Sequence, residues 1–159
     1  MQNFFNHFLR FNNADEIISR LWLGNYVSST DSDFLLNNNI TVVINCTKDL
    51  PFSELKTIEY KYRIPVNDNL KQSEIHLMYT MLGSITDIIH DHYLAGRSIL
   101  IHCHAGIQRS ATVCLVYHVK FHSHDYNASY NHLKQKRFIV FTPSMNFKSS
   151  IVKYLEELK

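Results

Sequence analysis

Residues 98–111 read Ser98-Ile99-Leu100-Ile101-His102-Cys103-His104-Ala105-Gly106-Ile107-Gln108-Arg109-Ser110-Ala111. The first five, a short apolar run, suit a strand buried on both faces. A tight loop containing Gly106 follows, and the apolar stretch Ala111 to Phe121 reads as a helix whose first turn begins near Arg109. Strand, short loop and helix in that order are a unit of an α/β domain. In such domains the chemistry gathers at the carboxyl ends of the strands.

The flanking sequence repeats the alternation. Ile18 to Gly24 reads as one strand ending at a glycine turn, and Asp31 to Asn38 as a short helix with Thr30 or Asp31 as N-cap. Thr41 to Cys46 is a β-branched run, and Glu59 to Val66 is a further strand. Ser73 to Leu94 has the apolar spacing of an amphipathic helix opened by a Ser cap and stopped by Gly96. Tyr126 to Lys136 and Ser144 to Leu158 complete the helices. The expectation is a single α/β domain over residues 1–159, with a four- to five-stranded, mostly parallel sheet flanked by helices. Phe4, Phe5, Phe8 and Leu9 form an apolar stripe, read as an N-terminal apolar helix over residues 1–14. It packs on the domain's own back face or forms a homodimer contact.

Composition narrows the class. With 45% hydrophobic and 13% aromatic residues, the 159-residue chain has the material for a core and is not globally disordered. A net charge of +2 is too small to suggest a nucleic-acid or membrane-surface partner. Three cysteines, an odd number, fit free thiols in a reducing compartment rather than a disulfide framework. Met1 to Arg10 lacks the features of a secretory leader, and no apolar run approaches the roughly 20 residues of a membrane span. A soluble cytoplasmic or nuclear domain is expected.

The loop carries the chemistry. His102-Cys103, then Arg109-Ser110 six residues on, arises by chance roughly once in a thousand chains of this composition. A strand, a curled loop and a helix N-terminus turn successive N–H groups toward one point, a nest that binds an oxyanion. His104, Ala105, Gly106, Ile107, Gln108 and Arg109 would form it. Arg109 supplies a planar fork matched to two phosphate oxygens. Cys103 lies at the bottom, where amides, helix dipole and guanidinium favour the thiolate. Ser110 is placed to donate to the sulfur and ease its departure. A core-thiol reading of Cys103 leaves Arg109 unexplained. A metal site at His102, Cys103 and His104 fails because adjacent strand residues point to opposite faces. His102 reads as a hydrogen-bonding support for the loop. No metal or cofactor is called for, because the loop itself supplies positive charge.

These residues resemble the cysteine-based protein tyrosine phosphatases, and the Arg-Ser-Ala ending resembles their dual-specificity branch. The resemblance covers nearly the whole chain: residues 17–25, 40–50, 62–69 and 136–147 look like that branch's first strand, second strand and turn, general-acid loop, and approach to the last helix. It implies a protein phosphatase acting on phosphotyrosine and phosphoserine/phosphothreonine through a cysteinyl-phosphate. Cys103 would be the nucleophile, Arg109 the phosphate clamp and Asp68, 35 residues before Cys103, the general acid. The alternatives are a phosphatase of RNA 5′-triphosphates, phosphoinositides or phosphoglycans, and an inactive phosphate-binding module. Gln108 stands where the pattern has Ser, Gly or Asn. Ser144 replaces an Asn after Pro143, with Asn146 two residues on. By the same resemblance, and because Cys46 and Cys103 both end strands, Cys46 is a candidate redox partner of Cys103; Cys114 reads as a packed core thiol.

Overall fold

Every other residue of the central strands faces the same way, and the apolar side chains sort accordingly. The structure, a computed structural model, describes residues 11–159. Strands β1 (Ala14–Ile18) and β2 (Leu21–Gly24) are followed by helices α1 (Tyr26–Thr30) and α2 (Ser32–Asn37). Then come β3 (Ile40–Asn45), β4 (Tyr60–Arg63), the long α3 (Gln72–Leu94) and β5 (Ser98–His102). Helices α4 (Arg109–His118), α5 (Tyr126–Lys136) and α6 (Lys148–Glu157) close the fold. The five-stranded sheet runs β1-β2-β5-β3-β4, parallel except where β1 lies antiparallel to β2. Leu21, Leu23, Val42, Ile44, Ile99 and Ile101 join the main core with α3, α4 and α6 residues such as Met78, Leu115 and Ile151. Leu100 and Val43, one residue out of phase, pack on the opposite face against Leu35 and Ile58. Period-two alternation thus divides one sheet between two cores.

Several sequence expectations need correction. Residues 18–24 are not one strand but the turn and second arm of a hairpin, with Arg20 at φ 68°. The left-handed turn is held by tertiary contacts: Arg20 Nη1 donates to Tyr93 O (3.2 Å) and Arg97 O (2.9 Å), and the guanidinium stacks 4.4 Å from the Tyr93 ring centroid. Ser73 does not cap α3; Lys71 occupies that position, without a side-chain bond. Helix α6 starts at Lys148 rather than Ser144, because residues 142–147 are occupied in the site described below. The helix expected over 111–121 is regular only to His118 and widens into a π turn, Val119–Ser123, closed by His124 at φ 56°. Phe4, Phe5, Phe8 and Leu9 lie outside the described residues; Asn12 and Asn13 are not helical, and Ala14 already belongs to β1.

The π turn gathers imidazoles. His118 Nδ1 lies 2.7 Å from Ser129 Oγ, and its ring stacks on His132 at 4.7 Å and His122 at 5.4 Å. Burial, with His132 and His122 adding to it, pushes His118 down to about 4. A histidine depressed in the fold binds its proton more readily when unfolded, so this contribution is lost as pH falls from about 6.5 toward 4. Urea midpoints measured at pH 7.5 and 5.0 should therefore fall further in the wild type than in His118→Gln. Equal losses would remove His118 as a source of the acid sensitivity.

Candidate functional site

Gly24, Asn45, Arg63 and His102 end their strands level with one another, because each pairs across the ladder with its neighbour. The segment Cys103–Gln108 rises from the middle of that edge and enters α4 at Arg109. The carbonyls of 104 to 108 are each held by a hydrogen bond. His104 O accepts from Tyr26 N (3.0 Å) and Ile107 O from Phe141 N (2.9 Å). Ala105 O and Gly106 O accept from Arg137 Nη2 (3.3 Å) and Nε (2.9 Å). Gln108 O accepts from Thr112 N (2.9 Å) and Thr112 Oγ1 (2.7 Å). In a trans peptide plane the C=O and the next N–H point opposite ways. Five outward carbonyls, 104 to 108, therefore send the N–H groups of 105 to 109 to the concave side. The Gly106 N–H donates to Cys103 Sγ at 3.3 Å.

Glycine is required at 106. The residue sits at φ 69°, and a Cβ there would lie 2.6 Å from Gly24 O and 2.8 Å from Arg137 Nη2. Gly24 has the same close-packing role, since its Cβ would run into Ser28 Oγ. Arg137 is fully buried and also donates Nη1 to Asn12 O (2.7 Å) and the Asp15 carboxylate (2.8 Å). Its guanidinium thus joins the β1 end of the chain to the underside of the loop.

The sequence-selected residues converge here. Cys103 is buried at the base, with Ser110 Oγ 3.1 Å from its sulfur. His102 Nδ1 lies 3.3 Å from Cys103 O, and its Nε2 is buried without a partner among the described residues. Burial outweighs that carbonyl contact and, with Arg63 and Arg109 nearby, pushes His102 down to about 4, so the ring is neutral at pH 7. Arg109 Nη1 donates to Val66 O (2.9 Å), while its Nε–H is buried with no partner among the described residues. Asp68 lies in the exposed segment after Val66. Asn67 N donates to Glu74 Oε2 (2.8 Å) on one side of it, and Asn146 Nδ2 donates to Asp68 Oδ1 (2.9 Å) on the other.

Cys46 follows β3 directly. Asn45 stands opposite His102, and Cys46 N donates to His102 O at 2.8 Å, so Cys46 and Cys103 leave adjacent parallel strands side by side. Burial first, then neighbouring Cys103, push the Cys46 thiol up against the opposing pull of Arg109. Cys114 is buried in α4 and is pushed up to about 12 by burial alone. Among the described residues no group of three or more His, Cys, Asp or Glu side chains is arranged to hold a metal ion.

Two supports were not visible in the sequence. Arg137 follows Lys134 and Lys136 and reads as part of a solvated basic helix end; nothing local marks its burial. Gln108 reads from the sequence as part of the oxyanion nest and Asn146 as a stand-in for the missing Asn; nothing in the sequence links either to Asp68. The arrangement as built is a cup of N–H donors over a buried sulfur, closed on one side by a guanidinium and overlooked by a carboxyl group. Such a cup binds a tetrahedral oxyanion with the sulfur aimed at its centre.

A family model described as dual specificity phosphatase, catalytic domain, matches residues 21–157. Mouse Dual specificity protein phosphatase 14 is 31% identical over 143 residues, which cover 90% of this chain and 69% of that protein. Mouse Dual specificity protein phosphatase 1 is 32% identical over 87% of this chain but only 36% of its own length. The crystal structure of human DUSP28 superposes with a TM-score of 0.82 over 94% of this chain and 97% of that one, at 21% identity, a likeness of fold.

Replacing Arg137 by Met should cost about 3 kcal/mol or more, because Asp15 and the carbonyls of 105 and 106 lose their donor together. Equilibrium urea unfolding measures the loss. Stability within about 0.5 kcal/mol of wild type, a typical surface-substitution effect, would show that the guanidinium does not hold the loop.

Proposed function

The chain belongs to the dual specificity phosphatase catalytic-domain family, and from that premise we propose that it dephosphorylates phosphotyrosine and phosphoserine/phosphothreonine in proteins through a phosphorylated Cys103. The observation that carries this reading is the ring of outward-held carbonyls around a buried cysteine sulfur. In the first step the Cys103 thiolate attacks phosphorus in line. The N–H groups of 105 to 109 and the unpaired Nε–H of Arg109 receive the equatorial oxygens. Asp68, as general acid, gives its proton to the departing alkoxide or phenoxide oxygen. In the second step water attacks phosphorus, Asp68 takes its proton, and Ser110 donates to the leaving thiolate across the 3.1 Å contact. Phosphate leaves and the thiolate is restored. His102 stays neutral and acts through its contact with the loop backbone.

Between Cys103 and Arg109 the loop sequence is His104, Ala105, Gly106, Ile107 and Gln108, with no Lys or Arg to favour a polyanionic inositol head group. Cytoplasmic residence and a dimer through residues 1–14 remain part of this proposal and rest on the sequence alone.

Cys103→Ser should abolish turnover of 4-nitrophenyl phosphate while vanadate still binds, and EDTA should leave the wild type active. Asp68→Asn should lose ~10²-fold or more on phenyl phosphate and much less on a nitrophenyl ester, whose leaving group needs less protonation. Steady turnover by Cys103→Ser near the wild-type rate would refute the covalent mechanism.

We further propose Cys46 as the thiol that captures oxidised Cys103. Peroxide converts the Cys103 thiolate to a sulfenic acid; Cys46 sulfur attacks it, forming the S–S bond and releasing water. Strand adjacency supports the pairing, whereas burial of the Cys46 thiol makes capture slow. Peptide mapping after peroxide should find a Cys46–Cys103 disulfide, and Cys46→Ser should lose activity that thiol no longer restores. Sulfinic acid at Cys103 in both proteins, with no disulfide, would end the idea.

A further inference from the structure

Gln108 occupies the N-cap position of α4 yet makes no capping bond to its own helix. Its amide, buried to 6% exposure, is spent on another segment. Nε2 donates to Ser144 O (2.7 Å) and Thr142 O (3.3 Å), while Oε1 accepts from Asn146 N (3.0 Å). Both ends of the amide are used, so its orientation is fixed: reversed, the oxygen would face two carbonyl oxygens. The three bonds hold residues 142–146 irregular and delay α6 to Lys148. This places the Asn146 side chain, half-buried, with Nδ2 on Asp68 Oδ1 at 2.9 Å.

The chemistry of that last contact is directional. An amide NH₂ only donates, so Oδ1 must accept whether Asp68 is ionised or protonated. The transferable proton is therefore confined to Oδ2. The neighbouring residue secures the same segment from its other side, through Arg109 Nη1 on Val66 O. Consecutive residues of the phosphate loop thus reach the acid segment twice, directly through Arg109 and by way of Asn146 through Gln108.

We propose that Gln108 and Asn146 are positioning residues for Asp68, fixing the carboxyl group over the cup and choosing the oxygen that carries its proton. The proposal rests on the reading of Asp68 as general acid. Gln108 meets the phosphate only through its backbone N–H; its side chain and that of Asn146 do not touch the reacting atoms and act through Asp68.

The test separates this role from simple support of the fold. Asn146→Leu and Gln108→Met should each lower kcat on phenyl phosphate about 10-fold, a part of the full general-acid effect, and on 4-nitrophenyl phosphate less than about 3-fold. For Asn146→Leu, which lies outside the cup, vanadate affinity should stay within about 2-fold. In an Asp68→Asn background, Asn146→Leu should cost nothing further, since residues acting through one group are not additive. A conservative Asn146→Gln, which keeps a donor, should recover part of the phenyl phosphate rate. Losses equal across leaving groups, or additive with Asp68→Asn, would overturn the positioning role while leaving the acid assignment standing. An Asp68→Asn enzyme with no leaving-group dependence would overturn the acid assignment and this proposal with it. If Gln108→Met does not fold, Asn146→Leu alone decides, its site being at the surface edge of the loop.

Discussion

The site depends on five carbonyl groups that face away from it. Isolated, a loop such as His104–Gln108 would satisfy its carbonyls and N–H groups with water in many conformations, and nothing would direct the N–H groups to one point. The surrounding protein supplies outside donors: the amides of Tyr26, Phe141 and Thr112, and a buried guanidinium at Arg137. Peptide planarity then turns each outward bond into an inward donor. Positive potential at the sulfur is therefore built from neutral groups fixed in advance. Arg109, a formal cation facing the cup, adds to a field already present. This is electrostatic preorganisation in the ordinary sense: the reorganisation is completed during folding rather than during the reaction.

The sheet provides the platform. Because β2, β5, β3 and β4 end in register, the loop after β5, the turn after β2 and the segment after β4 leave from one level. Gly24 can approach Gly106 closely only on those terms. The same register accounts for the nearness of Cys46, which is a consequence of parallel pairing and needs no added device. The acid segment is attached from three elements, α3 through Glu74, α4 through Arg109 and the approach to α6 through Asn146. It is nonetheless exposed at Asp68.

Much of this was legible in the chain, and the failures have physical causes. The β5 strand was readable because its signal is local, a short apolar run ahead of the loop. Cys103, Arg109 and Ser110 were readable because their spacing encodes the loop itself. The hairpin at residues 14–24 was missed because its turn holds an arginine in a left-handed conformation that glycine or asparagine usually signals. Contacts to Tyr93, Arg97 and Ile99, more than seventy residues away, help to stabilise it. Arg137 was hidden for the same reason, its partners at residues 12, 15, 105 and 106 being remote in sequence. Asp68 was found by resemblance; its own neighbourhood of Asn and Asp would pass for turn material.

The Arg137 contacts also bear on the order in which the chain can mature. Asn12 and Asp15 emerge from a ribosome long before their partner, 125 and 122 residues later. The donor to Ile107 O comes later still, at Phe141. A nascent chain that has already released Cys103 lacks the groups that turn the loop's amides inward. The cup is thereby coupled to completion of the fold: partial products of synthesis carry the cysteine without it, and the contacts of high sequence separation are the ones that shape it.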